Sequence, residues 1–449
     1  MRFARVFICL LGCALALGAQ DQTQIVIPIA SKLRLALPDF NAPGVDAKLQ
    51  TTFNTVLWND LYQSAVVSMV GRSMYTQPAP ASEADLGNAS YRSGWTAQPL
   101  SVQRLAFGAM QQSASGLVVT GYLYDVTQSS GGRLLARRYA NPATDAGARG
   151  IAHQLANDIV AALGFGPGIA TSEIAFISNR SGGQEVWTMD YDGSNQQQRT
   201  RLHSIAYSPR ISPDGQTLAF MSSATGHPTI KLLSLVTNRL LPFPDFSGRS
   251  GLEETPAWSP DGKKLAFSMK IGENQEIYTV NPNGRGLTRL TTSHGGVSNV
   301  SPVWNPKPPA GSPGQIAYVS NRAGRLPQLY VMDADGNNQQ RLPLGGYAVS
   351  PSWSPNGLSL AFAWVRNSGG ENSGASDIYI WNFGSQSYVQ LTHNGERNDF
   401  PSWAPDNRHI VFQSGPPYHS QLFSVAADGS VPAQLTTAGK NEMPNWSWH

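Results

Sequence analysis

Pro256-Ala-Trp258-Ser-Pro-Asp-Gly262-Lys-Lys-Leu265-Ala-Phe267 is one copy of a pattern that recurs through the second half of the chain. A proline is followed two residues later by a large apolar residue at Pro209/Ile211, Pro256/Trp258, Pro302/Trp304, Pro351/Trp353, Pro401/Trp403 and Pro444/Trp446, with the prolines 47, 46, 49, 50 and 43 residues apart. A period in the 40s, carried by short strand and turn signals, is the sequence form of a β-propeller blade.

Within each copy the order of signals is constant. The Pro-x-Trp strand runs into a Ser-Pro-Asp-Gly type turn at 212–215, 259–262, 354–357 (Asn for Asp) and 404–407, where Pro presets φ and Asp or Gly allows the tight return of a hairpin. An apolar second strand follows (Ile174-Ala-Phe, Leu218-Ala-Phe, Leu265-Ala-Phe, Ile316-Ala-Tyr, Leu360-Ala-Phe, Ile410-Val-Phe), then a third such as Glu276-Ile-Tyr or Asp377-Ile-Tyr. A fourth ends near Leu202, Leu241, Leu290, Leu342, Leu391 and Leu435. Four strands make one blade, and six copies predict a six-bladed propeller over residues 170–449.

Strand counting also predicts how the ring closes. The first repeat begins near Glu173 on its second strand, whereas Met443-Pro-Asn-Trp446 at the other end is a surplus first strand. That strand is expected to complete the first blade and so remove an open sheet edge.

The opening 18 residues place Arg2 and Arg5 before an apolar run from Val6 to Leu17 and small residues at Ala16-Leu-Gly18. This predicts a secretory signal cleaved near Gly18 or Ala19; the run is shorter than the ~20 residues that span a bilayer. Leu10-Leu-Gly-Cys13 has the outline of a lipidation box, but Arg5 interrupts the run ahead of it. Both cysteines, Cys9 and Cys13, fall inside the signal, so the exported chain is expected to have no disulfide. Two of the 32 basic residues lie there as well, leaving 30 against 29 acidic. No general attraction to nucleic acid or to an anionic membrane surface is therefore expected.

Residues 19–165 read as a small N-terminal α/β domain. Gln24–Ala30 and Leu33–Pro38 have strand character, Gly44–Val70 has helical periodicity, Leu117–Tyr124 and Gly132–Tyr139 form a hairpin about Ser129, and a helix runs from Ala146 to Leu163. The Pro-, Ala- and Ser-rich stretch 76–98 reads as a long loop.

Several motifs could carry chemistry. His294 and His393 follow Leu-Thr strand ends, in loops without a neighbouring carboxylate, and read as surface residues rather than catalytic bases. No Gly-x-Ser-x-Gly nucleophile elbow occurs. Asp190-Tyr-Asp-Gly-Ser-Asn195 and Asp333-Ala-Asp-Gly-Asn-Asn338 resemble the start of a calcium loop but lack the closing Glu, and they fall where the third and fourth strands must be joined. The tryptophans recur at one position per blade, which points to packing between blades. No catalytic residue, cofactor site or metal site is predicted.

What remains is a surface. Loops joining fourth to first strands and second to third strands gather at one mouth of the channel, bringing together Asn179, Arg180, Tyr207, Ser208, Glu253, Glu254, Thr255, Asn299, Asn321, Arg322, Tyr347, Arg397, Asp399, Asn441 and Glu442. Mixed charge with Arg, Tyr and Asn suits protein recognition.

A signal segment, an α/β domain with Leu35-Ala-Leu-Pro-Asp-Phe40, a helix bearing Ala152-His153 and Asn157-Asp158, and a propeller with Ser-Pro-Asp-Gly and Leu-Thr punctuation together resemble the TolB family. The domain order is the specific part of the resemblance. It implies a monomeric, non-enzymatic periplasmic adaptor of the Tol-Pal system. Such an adaptor binds a Pal-like peptidoglycan-associated lipoprotein through the propeller and a TolA-like inner-membrane protein through the N-terminal region, and supports outer-membrane integrity and constriction at cell division. In the family the segments before the Pro-x-Trp strands carry Pal contacts, one of them a His-Asn-Gly-Ala-Pro type sequence; this chain has Leu252-Glu-Glu-Thr-Pro256 there and Asn299-Val-Ser-Pro302 where Thr-Glu-Pro is common. The alternatives are a carbohydrate- or small-ligand-binding propeller, or a lyase or hydrolase using channel residues.

Overall fold

The computed structural model describes residues 32–128, 132–246, 253–324, 326–365 and 375–448. The signal segment, the strand expected at Gln24–Ala30 and the hairpin tip at Ser129 lie outside them.

The N-terminal part is a five-stranded mixed sheet in the order β2-β1-β3-β4-β5, with β1 Leu33–Ala36, β2 Val67–Met69, β3 Arg104–Ser113, β4 Gly116–Asp125 and β5 Arg133–Asn141. β1 runs parallel to both neighbours, and β3 to β5 form an antiparallel meander. Helices α1 (Ala47–Gln63) and α3 (Asp145–Ala162) pack on one face through apolar residues at helical spacing, Leu49, Phe53, Val56 and Leu57 against Ile151, Leu155 and Ile159. Asp46 caps α1 by accepting from the amides of Lys48 and Leu49, and Thr144 caps α3 at Gly147. Two expectations are corrected. The helix read over Gly44–Val70 stops at Gln63 and gives way to β2. The stretch 76–98 is not one loop, since Glu83–Gly87 and α2 (Ala89–Thr96) are helical and seat the buried Trp95.

The second part is a ring of six four-stranded antiparallel blades. Blade 1 holds Glu173–Ser178, Glu185–Asp190 and Gln197–Gln198, and is completed by the C-terminal strand Asn441–Trp446 pairing with Glu173–Ser178. The inner strands of blades 2 to 6 are Ala206–Ile211, Glu253–Trp258, Asn299–Trp304, Tyr347–Trp353 and Asn398–Trp403. Each Ser-Pro-Asp-Gly turn closes as the sequence dictates. Gly215, Gly262 and Gly357 lie at φ 70°, 68° and 72°, and their amides donate to Ser212, Ser259 and Ser354 carbonyls at 2.9, 2.9 and 2.8 Å. Left-handed geometry is what Gly allows there without a Cβ clash.

The repeated proline has a backbone meaning that the sequence conceals. Every inner strand shifts register just before it, between Glu254 and Ala257 in blade 3 and at matching points in the others. The residue ahead of each proline is left-handed: Ser208, Thr255, Ser301, Ser350, Phe400 and Met443, all with φ between 45° and 54°. Each is a β-bulge, which bends the strand and raises its twist. Six bulges in register bend all six inner strands at one level of the channel.

The two parts share a continuous core. Leu35, Phe53 and Ile159 belong to the same buried cluster as Ile174, Met189, Tyr191, Ala404 and Trp446. The contacts fall on the face carrying the first-to-second and third-to-fourth strand turns of blades 6 and 1, where Arg408 Nη1 donates to the Phe165 carbonyl at 2.6 Å. The opposite face of the ring is left uncovered by the N-terminal sheet.

Candidate functional site

On that uncovered face a polar framework repeats from blade to blade. The threonines of Leu290-Thr291, Leu391-Thr392 and Leu435-Thr436 accept the amides of Ile277, Ile378 and Leu422 at 2.9 Å, and Thr200, which follows Arg199, accepts that of Val186 at the same distance. The partner of each threonine is the residue opening the third strand: Asp377 Oδ1 accepts from Thr392 Oγ1 at 2.8 Å, and Gln421 Oε1 from Thr436 Oγ1 at 2.8 Å. The same acceptor then takes the amide group of an inner-strand asparagine, Asn299 to Glu276 at 3.0 Å, Asn398 to Asp377 at 3.3 Å and Asn441 to Gln421 at 2.9 Å. The Leu-Thr punctuation is therefore architecture. It satisfies buried polar groups at the ends of adjacent strands.

This framework absorbs many of the residues expected to face a partner. Asn299 and Asn441 are completely buried. Arg180 donates to Ser178 Oγ at 2.9 Å, to Asn441 Oδ1 at 2.8 Å and to Gln196, and its guanidinium lies 4.8 Å from the Trp187 ring centre. Burial lowers its pKa from the usual arginine value. Arg322 repeats the arrangement in blade 4, reaching Ser320, Gln339 and Asn299 and stacking 4.9 Å from Tyr330. Both arginines brace the strands of a single blade, Arg180 within blade 1 and Arg322 within blade 4, and Arg322 keeps an exposed flank.

The expectation that Glu253, Glu254 and Asp399 lie in loops is overturned. Glu253 and Glu254 pair with Met269 and Ser268 inside the strand ladder. Asp399 is 6% exposed, accepts from Ser350 Oγ and the Phe400 amide at 2.7 Å each, and has Arg397 at 3.7 Å. Burial raises its carboxyl pKa despite those partners. Tyr207, Ser208, Thr255, Tyr347 and Glu442 also belong to inner strands, not loops, and Ser208 is buried. Glu442 pairs with Lys440 at 2.8 Å. The inner strands thus run further toward the mouth than the turn signals suggest.

Other residues reach solvent. Tyr347 is 38% exposed and Arg397 is exposed, while Asn179 and Asn321, on the second-to-third strand corners, accept the amides of Lys440 and Ser298 just ahead of inner strands at 2.8 Å each. Sequence reading missed Ile205 (54% exposed), Leu326 (40%) and Tyr418 (82%), which stand on loops of this same face. Their signal was visible in principle, as large apolar residues outside any strand period. His294 and His393 are exposed there too.

The two acidic loops on the opposite face are tight turns. Gly193 and Gly336 donate to the Asp190 and Asp333 carbonyls at 2.9 Å, and Asp192 and Asp335 take the amides of Ser194 and Asn337 at 3.0 Å. Among the described residues no three His, Cys, Asp or Glu side chains gather as metal ligands. Asp192 also binds Arg149 of α3 at 2.8 Å. The tryptophans pack between blades, Trp304 with Ala257 and Ile277, and Trp403 with Ala363 and Ile380.

Comparison with known proteins accords with this architecture. A family model described as the TolB beta propeller domain matches residues 163–449. A Protein TolB homolog of Chlorobium luteolum is 35% identical over 193 residues, 43% of this chain and 41% of that protein. The Tol-Pal system protein TolB of Desulfosudis oleivorans is 28% identical over 278 residues, 61% of each chain. The matched stretch thus spans 41–61% of these two relatives' length. The crystal structure of TolB from Acinetobacter baumannii superimposes with a TM-score of 0.76 at 23% identity, covering 93% of this chain and 96% of that one. It shares the fold.

Proposed function

We propose that this chain, which belongs to the TolB family, is a periplasmic, non-enzymatic adaptor of the Tol-Pal system. On this reading residues 1–18 are a cleaved signal, the domain over 19–165 meets a TolA-like inner-membrane protein, and the uncovered propeller face binds a Pal-like lipoprotein. The observation that carries the reading is the division of labour on that face. Its buried Asn residues join neighbouring blades and its Thr and Arg residues brace the strands within a blade, while Ile205, Leu326, Tyr347 and Tyr418 stand exposed around them. Scattered single apolar residues need no explanation, but two tyrosines and two aliphatics on one face of a ring fit an interface with aromatic anchors. The bent, hydrogen-bonded strands beneath supply a rigid platform.

The reading is tested by replacing Tyr347 and Tyr418 together with alanine and measuring affinity for the soluble domain of the organism's Pal-like lipoprotein. Both side chains are solvent-exposed, so the melting temperature should stay within a degree or two of wild type. The complex should weaken at least about tenfold, the ~1.4 kcal/mol expected when anchor aromatics are truncated. Unchanged affinity would move the docking surface elsewhere. Asp335→Ala on the far face is the matched control and should bind as wild type; Asp192 is unsuitable because it holds α3.

A further inference from the structure

The channel itself contains a second feature, independent of the outer face. A cavity of about 290 Å³ lies among the inner strands of all six blades, at the lower end of the range for small-ligand pockets. Its walls are the Pro-x-Trp motifs. The middle residues of the motif form a ring: Arg210, Ala257, Val303, Ser352, Ser402 and Asn445. Three of these are engaged in joining blades. Ser352 Oγ accepts the Trp403 amide at 3.3 Å, Ser402 Oγ the Trp446 amide at 3.0 Å, and Asn445 Oδ1 the Ile211 amide at 2.8 Å.

Arg210 departs from this pattern. It is the single charged residue among those lining the cavity. Its Nη1 donates to the Pro209 carbonyl at 2.8 Å, and among the described residues no carboxylate lies within 4 Å to balance it. The side chain is half-buried, and desolvation by the channel wall pulls its pKa down to about 10. An uncompensated guanidinium in an apolar setting is unfavourable, and one that persists in a ligand-sized cavity is waiting for an anion.

We propose that the central channel binds a monoanionic organic carboxylate, with the carboxylate held by the Arg210 fork and the apolar body lying against Trp258, Trp304 and the motif prolines. A carboxylate matches the planar, bidentate donor geometry of guanidinium. One cation balances one negative charge; a phosphate dianion would leave excess charge in a wall that otherwise offers only hydroxyls, an amide and indole edges.

Benzoate is a suitable probe, with benzamide as its uncharged isostere, titrated calorimetrically into the full chain. Benzoate should bind saturably at one site, and benzamide at least tenfold more weakly. Arg210→Met removes an unpaired, half-buried charge, so its melting temperature should equal or exceed that of wild type, while its benzoate affinity falls at least tenfold. Arg210→Lys, which keeps the charge but loses the fork, should fall between them. If benzoate and benzamide bind alike, or if folded Arg210→Met binds benzoate as wild type does, Arg210 is not an anion site. Tighter binding of inorganic phosphate than of benzoate would overturn the carboxylate assignment, and absence of benzoate binding at millimolar concentration would overturn the site. The benzoate–benzamide comparison on wild type decides the matter even if a variant fails to fold.

Discussion

Replacing Trp446 with alanine is expected to destabilise the protein by about 3–5 kcal/mol, the range for deleting a buried tryptophan. This residue is 1% exposed, and its indole Nε1 donates to Ser172 Oγ at 2.7 Å, so the substitution opens a large cavity and leaves a buried hydroxyl without its donor. The position is also the seam of the ring, because its strand pairs Asn445 with Ala175 and Trp446 with Ile174, joining the last segment of the chain to the first blade. The substitution should therefore lower the denaturant midpoint of the whole propeller, not of one blade. Trp304→Ala provides the comparison: that indole is 8% exposed and its buried Nε1 has no hydrogen-bond partner. Its loss should be smaller. Equal effects, or a loss under about 1 kcal/mol at Trp446, would show that closure by the C-terminal strand contributes little.

Asp60→Ala should be comparably severe, about 3–5 kcal/mol, since it removes one partner of a buried ion pair between α1 and α3 and the acceptor of a hydrogen bond from the propeller. The Asp60 side chain is 1% exposed; it binds His153 Nδ1 of α3 at 2.8 Å and accepts from Tyr191 OH of blade 1 at 2.6 Å. The motif that the family resemblance singled out, Ala152-His153, is thus part of an interdomain joint. Burial raises the Asp60 pKa against the opposing bonds of His153 and Tyr191. Burial works against charge on His153, but the Asp60 hydrogen bond and charge outweigh it, so the His153 pKa also lies above its usual 6.5. Both groups hold protons more tightly folded than unfolded. The His153 contribution is fully present below about pH 6.5 and is lost as pH rises through its folded pKa. Wild type should accordingly be more resistant to denaturant near pH 6 than near pH 8, and Asp60→Asn should flatten that difference. A pH profile unchanged by Asp60→Asn would exclude the pair as its source.

The propeller was legible because its signals are local and repeated. Each Ser-Pro-Asp-Gly turn fixes a hairpin, and an unmatched Pro-x-Trp at one end against a missing one at the other leaves only one way to close the ring. β3 was not legible: Leu105-Ala-Phe-Gly-Ala-Met110 sits at the centre of the sheet with both faces largely covered, so polar alternation is absent. α2 spans two turns with only Trp95 buried, too short for a period to emerge. The mouth was misread for a different reason. Asn299, Asn398 and Asn441 look like loop residues by composition, yet they are buried because side-chain acceptors from neighbouring strands satisfy them. Nothing in one sequence tells a satisfied buried asparagine from a solvated one. Ile205 and Tyr418 stand singly in loops, where an apolar residue belongs to no strand or helix period and so carries no signal of its exposure.

The central claim is that the uncovered face of the propeller is a protein-docking surface for a Pal-like lipoprotein. The most direct measurement is calorimetric titration of the full exported chain with the soluble domain of that lipoprotein. Saturable one-to-one binding, weakened at least about tenfold by the Tyr347 and Tyr418 alanine pair and untouched by Asp335→Ala, is the predicted result. No binding by folded wild-type protein, or binding that all three proteins share equally, would contradict the account.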